Sequence, residues 1–197
     1  MTSTESETLL HTPGHVKHDG HNLTGFIIFL CSESIIFFAF FVGYGVLKIT
    51  APTWYPDGVT GIAVREPLIN TVILVSSSFV IYFAERYLHK KNYWGFRIVW
   101  LITMLMGSYF VYGQYVEWSE LTFSLNSGVF GGLFYLLTGF HGLHVITGIL
   151  LMGLMLYRSF IPGNYDKGEM GVESISLFWH FVDVIWIILF ILIYVWQ

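Results

Sequence analysis

An all-α bundle of five transmembrane helices is the fold class this sequence predicts, and three observations carry it. Of 197 residues, 55% are hydrophobic and only 11% are charged, roughly half the charged share of a soluble domain. The apolar residues are gathered into five long runs with almost no charge inside them. Each run is long enough for a bilayer crossing, which asks for about 20 apolar residues in a helix. A helix closes its own backbone hydrogen bonds in lipid, so runs of this length are read as helices.

The first run covers residues 25–47 and contains one charge, Glu33. The second covers 68–84 and is closed by Glu85 and Arg86. The third covers 96–116, with Glu117 and Glu120 just beyond it. The fourth, 129–157, stops at Arg158 and is rich in glycine, with Gly131, Gly132, Gly139, Gly142, Gly148 and Gly153 inside it. Gly128 and Gly132 form a small-xxx-small pair, which lets backbones approach closely in lipid, within the bundle or against a partner subunit. The fifth run, 175–196, holds His180 and Asp183.

Between the runs, residues 51–58 carry two prolines and a glycine, and 161–164 reads as a turn. No connector is long enough to fold alone. The organisation is therefore a polar tail, 1–24, and one transmembrane domain, 25–197. The tail carries His11, His15, His18 and His21 and reads as solvated and partly disordered rather than as a metal-capturing segment, because no cysteine and no fixed scaffold accompany them. It has no apolar stretch of signal-peptide length, so the first helix is expected to direct insertion. Cys31, the single cysteine, allows no intrachain disulfide and reads as a small buried core residue. With five crossings, Lys17, Arg86, Lys90, Lys91, Arg97, Arg158 and Lys167 share one side, against Lys48 and Arg65 on the other. That bias places the tail in the cytoplasm and the C-terminus outside. Trp54, Tyr55, Trp94, Trp118 and Trp196 stand near span ends, where aromatic belts form.

An ionisable side chain within a span is costly, which makes each one a candidate functional residue. Glu33 has Phe29, Leu30, Ile36 and Phe37 as helical neighbours. That setting suits a neutral acid which either passes protons or only hydrogen-bonds a neighbouring helix. His141 and His144 are three apart and share a face of the fourth span, as His180 and Asp183 do on the fifth. Bringing these faces together would build a His/His/His/Asp cluster. Such a cluster is either a metal or haem site, or a hydrogen-bonded network that fixes two helices, with Asp183 offset by a histidine. Glu117 and Glu120 share a face at the end of the third span, near Gln114, and read as meeting water or at most shaping an interface.

No glycine-rich phosphate loop, nucleophile elbow or HExxH pair is present. No basic patch suggests nucleic acid, and the net charge of −4 is modest. From the residues alone, the reading ends at a polytopic bundle with a buried polar network.

Two segments are more specific: 138–148, TGFHGLHVITG, and 178–186, FWHFVDVIW. They are supported by 32–41, SESIIFFAFF, by 67–71, PLINT, and by 114–118, QYVEW, leading to Phe123. On these motifs, in this order, the chain from 25 to 196 resembles subunit III of cytochrome c oxidase in its short, five-helix bacterial form. The resemblance implies a non-catalytic subunit of a respiratory haem-copper oxidase, packed with subunits I and II. Haem and copper would sit in the partner subunits, with cytochrome c as donor to the complex. It implies support of assembly, proton uptake and turnover stability, and bound phospholipid. Arg158 falls where the family has an arginine near lipid phosphate, a sensible place for a cation facing anionic head groups. Glu33 falls on the family's membrane acid. His141, His144, His180 and Asp183 then become a structural network, and neither a catalytic residue nor a metal site is expected in this chain. The long form of the family has two further helices before the Glu33 span, so lipid sites that need them are not expected to carry over.

The resemblance also leaves open subunit III of a haem-copper quinol oxidase or a related protein beside a nitric oxide reductase. The residues alone would further fit an independent haem-binding cytochrome using His141 or His144 with His180, or a small transporter with Glu33 as its proton site.

Overall fold

The computed structural model describes residues 19–56, 58–163, 165 and 169–196. It contains five helices: α1 (Asp19–Thr50), α2 (Arg65–His89), α3 (Tyr93–Glu120), α4 (Gly128–Arg158) and α5 (Met170–Phe190). A π-helical turn, Ile191–Val195, continues α5. All five helices are long and apolar enough to cross a membrane. Helices α1 to α4 outrun their apolar stretches at both ends and α5 at its start, because residues at the ends extend a helix without needing lipid. At its start α1 reaches back to Asp19, into the segment read as tail. The expectations for His11, His15, His18 and the His21 side chain fall outside the described residues.

Local chemistry sets the turns. The α2–α3 hairpin is only three residues wide. Lys91 takes a left-handed conformation, φ 56°, and Asn92 caps α3 by accepting the Gly95 N–H at 3.0 Å. Gly128 opens α4 at φ +76°, a conformation that side-chain-bearing residues avoid.

Packing is centred on α5, the most buried helix, while α1 is the most exposed. Helix α5 packs against α1, α2 and α4; α2 and α3 form the closest pair, and α3 and α1 both touch α4. The aromatic N–H groups of α3 and α5 stitch the bundle. Trp179 Nε1 donates to Ser77 Oγ at 2.8 Å, Trp186 Nε1 to Thr71 Oγ1 at 2.9 Å, and Trp100 Nε1 to the Met152 carbonyl at 2.9 Å. Lipid offers no apolar driving force between helices, so close packing and such bonds hold them. The Trp179 indole lies between Gly107 of α3 and Gly148 of α4, where a Cβ would come within 2.5 Å and 2.9 Å of its ring atoms. Within-bundle packing therefore accounts for Gly148, whereas Gly142 faces open space.

Helix α1 meets the rest along one seam, Leu30, Phe37 and Tyr44, spaced by seven. Ile28, Ile35, Phe38 and Ile49 are exposed on its other sides. Cys31 is exposed as well, not the buried core residue its apolar run suggested. It follows Leu30 by one position, which turns it about 100° out of the seam.

Candidate functional site

Glu33 lies within the α1 seam, between Leu30 and Phe37, and therefore faces α4. Its Oε2 stands 3.2 Å from His144 Nε2, with both side chains mostly shielded. The other ring nitrogen, Nδ1, lies 2.9 Å from the Phe140 carbonyl. A carbonyl only accepts, so Nδ1 carries a proton. One further proton then serves the Glu33 contact. Either the neutral acid donates to a neutral imidazole, or an imidazolium donates to a carboxylate. Phe37 and Phe140 wall the ring, with centroids 5.0 Å and 4.8 Å away.

Asp183 is buried on α5 and accepts a short hydrogen bond from Ser78 of α2. That hydroxyl in turn accepts from His180 Nδ1 at 3.0 Å. The relay runs His180 to Ser78 to Asp183, so a histidine reaches the aspartate only through the serine. Asp183 Oδ1 has no hydrogen-bond partner. His141 is fully buried with both ring nitrogens unpartnered. Its ring stacks on Trp186 at 4.9 Å and meets the edge of Phe110 at 5.9 Å.

The expected His/His/His/Asp cluster does not form. His144 turns to α1, His141 to the aromatic interior, and His180 with Asp183 to α2. Two residues three apart on a helix diverge by about 60°, and five helices give each stripe its own neighbour. Among the described residues, the one group of three or more possible ligands with donor atoms mutually within 4.8 Å is His89, Glu169 and Glu173.

A second correction concerns Glu117. It does not simply meet water: Oε1 accepts from Tyr194 at 2.7 Å and Oε2 from Gln114 Nε2 at 3.0 Å. The π-helical turn brings Tyr194 there, which the apolar pattern of the fifth run did not reveal. Glu120 is exposed as expected. Ser78 was also missed, since a serine in a span carries no charge to flag it.

At one end of the bundle Arg97 donates through Nε to Ser159 Oγ at 3.1 Å and through its terminal nitrogen to the Ser159 carbonyl. Arg158, exposed beside it, lies within electrostatic reach of Tyr165. Burial pushes the Tyr165 hydroxyl above its ordinary range, and the Arg158 charge opposes this. His89 meets Glu169 at the same end-to-start junction of helices. At the other end Lys48 donates to the Trp196 carbonyl and lies over the Trp54 and Trp196 rings, 5.7 Å and 4.7 Å from their centroids.

The sequence matches known proteins. The family model described as cytochrome c oxidase subunit III matches residues 4–197. Cytochrome c oxidase subunit 3 of Synechocystis sp. is 41% identical over 189 residues, 93% of this chain and 81% of the relative. That of Thermostichus vulcanus is 43% identical over 180 residues, 91% of this chain and 89% of the relative. The protein of the same name from Rattus norvegicus is 37% identical over 179 residues, 87% of this chain and 68% of the relative. These names favour the cytochrome c oxidase assignment over a quinol oxidase.

Proposed function

The chain belongs to the cytochrome c oxidase subunit III family and is a non-catalytic component of a haem-copper oxidase, and from that premise we propose that it stabilises the working complex through the Glu33–His144 pair. The pair is the observation that carries this reading. It joins α1 to α4 through one proton shared between two mostly shielded side chains. The other parts of the proposal follow the family. The chain packs with subunits I and II, leaves haem and copper to them, and serves a complex fed by cytochrome c. Phospholipid binds at the Arg158 end, where the cation faces head groups. The N-terminus is cytoplasmic and the C-terminus outside. Joining Arg97 to Ser159 and His89 to Glu169 supports one basic end of the bundle.

Two measurements test it. The chain tagged at its tail and extracted in mild detergent is expected to bring haem and copper with a large polytopic partner, and to show neither when stripped of that partner. A lone chain that keeps haem would overturn the reading. Glu33→Gln is the second. The glutamine amide can still donate to His144 Nε2, so the helices stay joined, but the exchangeable acid is gone. Assembly is expected to be normal while the number of turnovers before inactivation falls. An unchanged turnover lifetime would remove Glu33 from any protective role.

A further inference from the structure

Where α2 ends and α5 begins, three ligand-type side chains that no motif singled out converge, with a fourth, Glu85, nearby. His89 Nδ1 lies 2.6 Å from Glu169 Oε2. Glu173, four residues further on, brings a carboxylate oxygen that completes a set of three donors within 4.8 Å of one another. Glu85, four residues before His89, lies within electrostatic reach of His89, Glu173 and Glu169. Each chain segment therefore contributes an i, i+4 pair, the spacing that puts two side chains on one helix face. Behind them, Ser176 is fully buried. Its Oγ makes no hydrogen bond of normal geometry, and the carboxyl it interacts with is Glu85.

An ion pair alone does not account for this set. One imidazolium offsets one carboxylate, and three are gathered here. The neighbouring guanidinium of Arg86 is placed over the Tyr82 ring, 5.6 Å from its centroid. A mixed set of one imidazole nitrogen and carboxylate oxygens suits a divalent transition metal better than calcium or magnesium, which prefer oxygen alone. Donors around one tetrahedral zinc stand about 3.3 Å apart, and those of His89, Glu169 and Glu173 already lie within 4.8 Å of one another.

We propose that His89, Glu169 and Glu173, with Glu85 as fourth donor, bind one zinc ion that pins the end of α2 to the start of α5. The sequence led to no expectation of a metal here, because the ligands come from two stretches 80 residues apart and none falls in a known ligand motif.

The test uses the whole oxidase carrying this chain. The complex is stripped with a chelator, reloaded with zinc and desalted. The wild-type complex is expected to retain about one equivalent more zinc than complexes carrying His89→Gln or Glu173→Gln. Zinc is also expected to raise the temperature at which this chain leaves the wild-type complex, and not to do so in either variant. Replacing the tail histidines (His11→Ala, His15→Ala, His18→Ala and His21→Ala) is expected to leave that equivalent in place. Equal zinc in wild type and variants overturns the proposal, as does loss of the equivalent with the tail replacement, or a wild-type complex that binds none. Should His89→Gln fail to assemble, the exposed Glu173→Gln carries the comparison.

Discussion

Asp183 presents two carboxylate oxygens to the interior, and only one is matched, by Ser78. Removing the carboxyl does not relieve the site. Asp183→Ala leaves the Ser78 hydroxyl without its acceptor and His180 tied to a serine free to rotate. A buried polar group left unpaired costs about 1–3 kcal/mol. The expected outcome is a lower yield of assembled complex, read from haem absorbance per unit of membrane protein; a normal yield would show that the relay holds nothing. His141 contrasts with it. Although it is the most deeply buried of the span histidines, it acts as an aromatic ring, stacked on Trp186 and edged by Phe110.

At the scale of helices, the junction of α2, α3, α4 and α5 turns on Trp179. Its indole fills the gap left by Gly107 and Gly148 and its N–H reaches Ser77. Overpacking such a site costs about 1–3 kcal/mol. Gly107→Leu is therefore expected to push α3 off α5 and lower the thermal stability of the complex, measured as loss of this chain on heating. Gly142→Leu serves as the control, because a side chain there meets open space. Equal losses for both would show that helix propensity or lipid contact matters more than the indole. Helix α1 depends on less: a seam of three large residues, the Glu33–His144 contact, and Lys48 at the far end. It is the helix whose exposed face leaves most room for lipid or another subunit.

For the molecule as a whole, the two ends differ in charge. The α2–α3 hairpin and the α4–α5 junction gather Arg86, Lys90, Lys91, Arg97 and Arg158, whereas Lys48 and Arg65 flank the opposite loop. On the proposed topology the first end faces the cytoplasm, as the positive-inside rule expects. In a Cys31→Ser background, a membrane-impermeant thiol reagent is expected to label Thr60→Cys in intact cells, and Lys90→Cys only after permeabilisation. The reverse pattern would invert the topology.

Hydropathy is a local property, so the five spans, their order and the positions of Glu33, His141, His144, His180 and Asp183 along them were legible in the chain by itself. So was the family, because TGFHGLHVITG and FWHFVDVIW are contiguous. The pairing of those residues was not. Periodicity tells which side chains share a stripe, but the rotation of each helix about its axis decides which neighbour the stripe meets. That rotation comes from packing: the seam of Leu30, Phe37 and Tyr44 turns Glu33 to His144 and Cys31 outward, and Trp179 between two glycines sets α5 so that Asp183 finds Ser78. The Tyr194–Glu117 bond and the His89–Glu169–Glu173 group likewise join residues distant in sequence, and only the tertiary structure brings them into reach.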